Sequence, residues 1–125
     1  MKKFLIIIVL AIIAIFSYKK FSTPATPLIP DNQADLILFW GEGCPHCEVV
    51  KKYIDQNGLN SKLKIVQKEI YYNKTNQQLL TDTVKKCPEI NSSAGIGVPL
   101  GFAPQENKCL YGDTPITDWL KAKTQ

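Results

Sequence analysis

Residues 36–47 read Leu36-Ile37-Leu38-Phe39-Trp40-Gly41-Glu42-Gly43-Cys44-Pro45-His46-Cys47: an unbroken apolar run, a glycine-rich turn, and two cysteines two residues apart. A continuous apolar run suits a central parallel strand covered on both faces, so Asp35–Trp40 is expected to be that strand. Proline lacks an amide N–H and holds φ near the helical value. Pro45 is therefore favoured at the first helical position, which makes Cys44 the N-cap. The Cys44 sulfur then faces unpaired amides and the positive end of the helix dipole, which stabilise a thiolate below the ~8.5 pKa of a free cysteine. Cys47 falls one turn further in, within reach of Cys44 but turned from solvent. Cys44 is thus the expected attacking thiol and Cys47 the resolving thiol, with His46 between them tuning the thiolate by charge or hydrogen bonding.

The run Phe39 to Cys47 resembles the active-site strand and turn of the thioredoxin superfamily, with a tryptophan four residues before the first cysteine. Pro45-His46 is the dipeptide associated with DsbA-like periplasmic oxidases. The resemblance covers roughly residues 34–123, in the short glutaredoxin-sized form. It implies a thioredoxin-like three-layer α/β/α sandwich with a mixed four-stranded sheet. It also implies that Pro99, in Gly97-Val98-Pro99, is the cis-proline that begins the third strand beside the cysteines. An exposed backbone edge at Val98 would then pair with a substrate peptide by strand addition. Many family members bury an acid near the motif to relay the resolving cysteine's proton, but Leu38 occupies that position. Glutaredoxins bind glutathione through a Gly-Gly and acidic pair near the last helix. Only Gly112-Asp113 stands there, so Asp113 is read as serving the local turn and no cofactor is expected beyond the redox disulfide.

Outside the motif, the chain parses into alternating units. Helix one should run from Pro45 to about Gln56, with Val49, Val50, Tyr53 and Ile54 facing inward and Asn57-Gly58 closing it. Leu63 to Val66 starts a second strand, and a helix from Lys74 or Thr75 to about Lys86 stops before Pro88. Val98–Ala103 and Lys108–Tyr111 form a hairpin across Pro104 to Asn107. Thr114-Pro115 opens a last helix carrying Ile116, Trp119 and Leu120. The expected order is βαβαββα, in one monomeric domain over 34–125.

The N-terminus is of another kind. Phe4 to Phe16 is apolar throughout and flanked by Lys2-Lys3 and Lys19-Lys20. Thirteen to fifteen helical residues span only ~20–23 Å, which suits a signal-peptide core as well as a short anchor. The first small-x-small pattern, Thr23-Pro24-Ala25, comes late and contains a proline. That favours an uncleaved membrane anchor over residues 1–20, contacting the membrane through 4–18, over a cleaved signal that would leave the domain secreted or periplasmic. Either way the domain is expected outside the cytoplasm, in the cell envelope. Residues 21–33, with Pro24, Pro27 and Pro30, read as an extended tether.

Charge narrows the partners. All fifteen basic residues are lysines; residues 21–125 hold eleven of them against eleven acids, so the domain is about neutral. Without arginine or a basic surplus, nucleic acid is not expected as a partner. The expected partners are exported protein thiols and disulfides and a further redox protein. Cys87 and Cys109 remain. Outside the cytoplasm they are expected to pair as a structural disulfide, whose loop of about 22 residues is worth about 3 kcal/mol in the chain-entropy model. A second redox pair relaying electrons to Cys44 and Cys47 is the sharper alternative. A four-cysteine zinc site fits less well, because only one close pair exists. The expected activity is a protein thiol–disulfide oxidoreductase leaning to oxidase or isomerase. The alternatives are an extracytoplasmic reductase, or a metal-binding or interaction module using Cys44, His46 and Cys47.

Overall fold

The computed structural model describes residues 29–125, together with Phe4, Ile6 and Ile8. Apart from those three residues, the apolar segment read as an export signal lies outside the described residues, as does most of the tether. No helix among the described residues is long and apolar enough to cross a membrane.

The elements follow the expected order: β1 (Leu36–Trp40), α1 (Pro45–Gln56), β2 (Ile65–Glu69), α2 (Lys74–Val84), β3 (Leu100–Ala103), β4 (Lys108–Tyr111) and α3 (Asp113–Thr124). The strands lie in the order β2-β1-β3-β4. β1 pairs parallel with β2 and antiparallel with β3, and β3 pairs antiparallel with β4. This is the mixed four-stranded sheet of a thioredoxin-like fold.

Strand alternation divides the core in two. Leu36 and Leu38 point to one face, where they join Val50 and Ile54 of α1 and Ile116, Trp119 and Leu120 of α3. Ile37 and Phe39 point to the other, against Leu80 and Val84 of α2 with Leu100 and Phe102 of β3. Leu36, Leu38 and Phe39 are all fully buried, so β1 is covered by helices on both sides. A side chain of this kind contributes about 1.5–3 kcal/mol on burial. Three layers result, with α1 and α3 on one face and α2 on the other.

Several boundaries differ from the sequence expectation, each for a local reason. Val49 is half exposed, while Cys47, Val50 and Ile54 form the buried stripe of α1. α2 ends at Val84 because the next turn tightens: the N–H groups of Lys86 and Cys87 donate to Thr83 and Val84, three residues back. The ladder of β3 starts at Leu100, after the proline that has no N–H to donate. The edge strand β2 begins two residues later than expected, at Ile65, after the Lys64 amide has donated to the Asp35 carboxylate at 2.7 Å. α3 begins at Asp113, which puts Pro115 at the third helical position, where amides lack intrahelical acceptors anyway. Asp31–Gln33, expected at the end of the tether, form a 3-10 turn tied to the domain by an Asp31–Lys68 ion pair at 2.8 Å.

Candidate active site

The first turn of α1 carries the motif. Cys44 is its N-cap, in extended conformation, and Pro45 occupies the first helical position. The Cys47 amide donates to the Cys44 sulfur at 3.2 Å, so the helix end delivers an N–H directly to that atom. The two cysteines form a disulfide with a Cα–Cα separation of 5.3 Å. Cys44 keeps 7 % of its surface exposed and Cys47 none. An incoming sulfur therefore meets Cys44 first.

The loop before β3 closes over this disulfide. The Val98–Pro99 peptide is cis, and the Val98 carbonyl oxygen lies 3.7 Å from Cys44 Sγ. Pro99 is fully buried, and its carbonyl accepts the Gly112 amide at 3.0 Å. Gly112, at φ +92°, turns the chain from β4 into α3. A hollow of about 540 Å³ adjoins the same loop, lined by Glu89, Ile90, Ile96, Gly97, Cys109 and Tyr111 among others. The Tyr111 hydroxyl occupies the space where Gly97 would carry a side chain.

His46 does not bond to either sulfur; the partner of its Nδ1 is the Asp113 carboxylate of α3, at 2.9 Å. That bond, with a second from the Thr114 amide, holds the Asp113 carboxyl below the usual carboxylate range. Asp113 thus belongs to the site as well as to the turn that the sequence suggested. Its only signal was a Gly-Asp step before the last helix, and pairing with a residue 67 positions away is invisible in a linear reading.

Trp40, at the end of β1, is partly buried and stands in neither core cluster. The Lys51 ammonium sits 3.8 Å from its ring centroid, a cation–π contact. Glu42 is exposed in the turn. Tyr71, which the sequence did not mark, covers Gly41 so closely that a methyl there would overlap its ring. Burial pushes the Glu69 carboxyl up, but bonds from the Tyr72 and Tyr71 amides outweigh it and hold the group low, fixing the loop that carries this tyrosine. Leu38 is fully buried and has no titratable group, so this position of β1 offers no proton carrier.

Cys87 and Cys109 form the second disulfide, with Cα atoms 5.8 Å apart, tying the turn after α2 to β4 within the α2-side core. Among the described residues, no three His, Cys, Asp or Glu side chains converge as metal ligands.

Comparison with protein-family models, with curated proteins and with solved structures finds no match for this chain. The class therefore rests on geometry: a thioredoxin-like sheet with a CXXC disulfide at the head of its first helix, an arrangement suited to thiol–disulfide redox chemistry. Two disulfides in so small a domain suit an oxidising, extracytoplasmic compartment.

Proposed function

We propose that this protein is an exported, membrane-tethered thiol–disulfide oxidoreductase that exchanges disulfides with protein thiols and acts as an oxidase or isomerase. The observation that carries the reading is the Cys44–Cys47 disulfide at the α1 N-cap, with Cys44 alone exposed and the cis-proline loop against its sulfur. A substrate thiolate attacks Cys44 Sγ. The S–S bond breaks with its electron pair on Cys47 Sγ, and a mixed disulfide forms between substrate and Cys44. A second substrate thiol then displaces Cys44 as a thiolate, leaving the substrate oxidised by two electrons and the motif reduced. The reverse sequence, with Cys47 resolving, reduces a substrate disulfide.

The backbone edge at Val98 is the seat for the substrate strand, and the adjoining hollow gives room for flanking side chains. Residues 4–18 serve as the membrane anchor, residues 21–33 as the tether, and the domain works outside the membrane as a monomer. The helix end that bonds the Cys44 sulfur favours the reduced, thiolate form and so makes the disulfide the stronger oxidant. The spread from thioredoxin at about −270 mV to DsbA at about −120 mV corresponds to ~7 kcal/mol, and a measured potential near the upper value identifies an oxidase.

Trapping tests the assignment. Cys47→Ala, expressed in the full-length chain, is expected to accumulate reductant-sensitive mixed disulfides with exported proteins, and Cys44→Ala/Cys47→Ala to accumulate none. Equal yields from the two variants would rule out Cys44-centred exchange.

A further inference from the structure

The Gly112-Asp113 step touches both halves of the site. The Gly112 amide holds the Pro99 carbonyl, and the Asp113 carboxylate holds His46. Within that carboxylate the oxygens divide the work: Oδ1 accepts the Thr114 amide at 2.8 Å, and Oδ2 faces His46 Nδ1. The group is thus fixed at one end and aimed at the other. An ionised carboxylate can only accept hydrogen bonds, so the ring must donate from Nδ1. In the neutral imidazole the proton then sits on Nδ1 and the lone pair on Nε2.

The exposure of the pair is uneven. The His46 side chain is 72 % exposed and that of Asp113 27 %, so the free edge of the ring faces solvent while its anchor is sheltered. An exposed ion pair of this kind adds little to stability. Nucleophile, base and a third group that orients the base form the general pattern of an activated thiol or hydroxyl. Here the nucleophile would be the incoming thiol, because Cys44 is already bonded to Cys47.

We propose that Asp113 is a positioning residue that fixes His46 as the Nδ1–H tautomer, leaving Nε2 as the base that takes the proton of the substrate thiol attacking Cys44. The inference rests on the oxidoreductase reading above. Balance is simple: R–SH gives its proton to Nε2 as its sulfur bonds to Cys44 Sγ. The Cys44–Cys47 bond breaks with its electrons on Cys47, and the proton passes from the imidazolium to solvent or to the Cys47 thiolate. Leu38, below the motif, is apolar and fully buried, and the His46–Asp113 pair works from the solvent side, on the substrate's proton. Of the other charged side chains on α1 and α3, Glu48 pairs with Lys51, Asp118 with Lys121 and Lys123 with Glu106, Lys52 and Asp55 are exposed, and none of them bonds to the ring.

The test uses the oxidised protein, with Asp113→Asn, which keeps the shape of the side chain and an oxygen for the Thr114 amide. The first measurement is the rate at which a simple dithiol, dithiothreitol, reduces the Cys44–Cys47 disulfide. At pH about 6.5, where the thiol is protonated, the variant is expected to react about tenfold more slowly or worse; near pH 10, where the thiolate is already present, the two rates converge. The second is the nitrogen NMR signature of His46, expected to show the Nδ1–H tautomer in the neutral wild-type ring and to lose that preference in Asp113→Asn. Equal rates at low pH, a slowing by the same factor at every pH, or an unchanged tautomer would each overturn the role of Asp113. A wild-type disulfide that dithiothreitol cannot reduce at any pH would instead overturn the oxidoreductase reading itself.

Discussion

At the scale of single residues, two glycines of one turn are needed for different reasons. Gly43 sits at φ +73° with open space around it, so any side chain there is strained by the backbone alone. Gly41 has an ordinary backbone, but Tyr71 lies where a side chain would go. The two substitutions should therefore respond differently to a second change. Gly41→Ala is expected to cost about 1–3 kcal/mol by overpacking, and Tyr71→Ala in the same chain to recover much of it. Gly43→Ala, costing about 1 kcal/mol, should gain nothing from Tyr71→Ala. Urea unfolding of wild type, the three single variants and the two doubles closes both cycles, and additivity at Gly41 would contradict the contact.

Among the elements, α3 shows how a helix is tied to a distant turn. Glu106, in the β3–β4 turn, accepts from Lys123 at 2.6 Å and from the Trp119 indole N–H at 3.3 Å. The Lys123 bond is the main cause that holds its carboxyl below the usual range. A carboxyl lowered in the folded state contributes stability above its unfolded pKa, and loses it as pH falls through the lowered folded value. Glu106→Gln is thus expected to be less stable than wild type at pH 7, with the gap closing between about pH 4 and pH 2. Urea midpoints at the two ends of that window check it; a constant gap would mean that packing, not charge, links the turn to α3. Lys123 pairs with a residue 17 positions earlier only because the hairpin folds back.

For the whole molecule, the second disulfide joins the turn after α2 to an edge strand across the core. Cys87→Ala/Cys109→Ala is expected to lower unfolding free energy by about 3 kcal/mol, since cross-linking mainly restricts the unfolded chain. Exchange at Cys44 and Cys47 should persist in the folded variant. Guanidinium unfolding with the first disulfide kept oxidised, followed by a dithiothreitol reduction assay, separates the two effects. Loss of exchange in a protein that remains folded would favour the electron-relay alternative for this pair.

Local chemistry determined much of this protein before any fold was seen. Proline at the first helical position set the cap at Cys44, the apolar run set β1, and the Asn57-Gly58 stop, with Gly58 at φ +59°, closed α1. Such features act between neighbours, so a linear reading holds them. What failed locally was inwardness: Val49 shares the apolar character of Val50 but lies on the outer flank of the helix, which only the packing of α1 on the sheet decides. The same holds for the start of α3, where the Asp113 carboxylate and the Gly112–Pro99 bond moved the first turn back from Pro115. The pairing of His46 with Asp113, the placing of Tyr71 on Gly41, and the approach of the Val98 carbonyl to Cys44 belong to the tertiary structure alone. Each joins residues at least 30 positions apart, and no periodicity or propensity carries information across that distance until the sheet brings the strand ends to one edge.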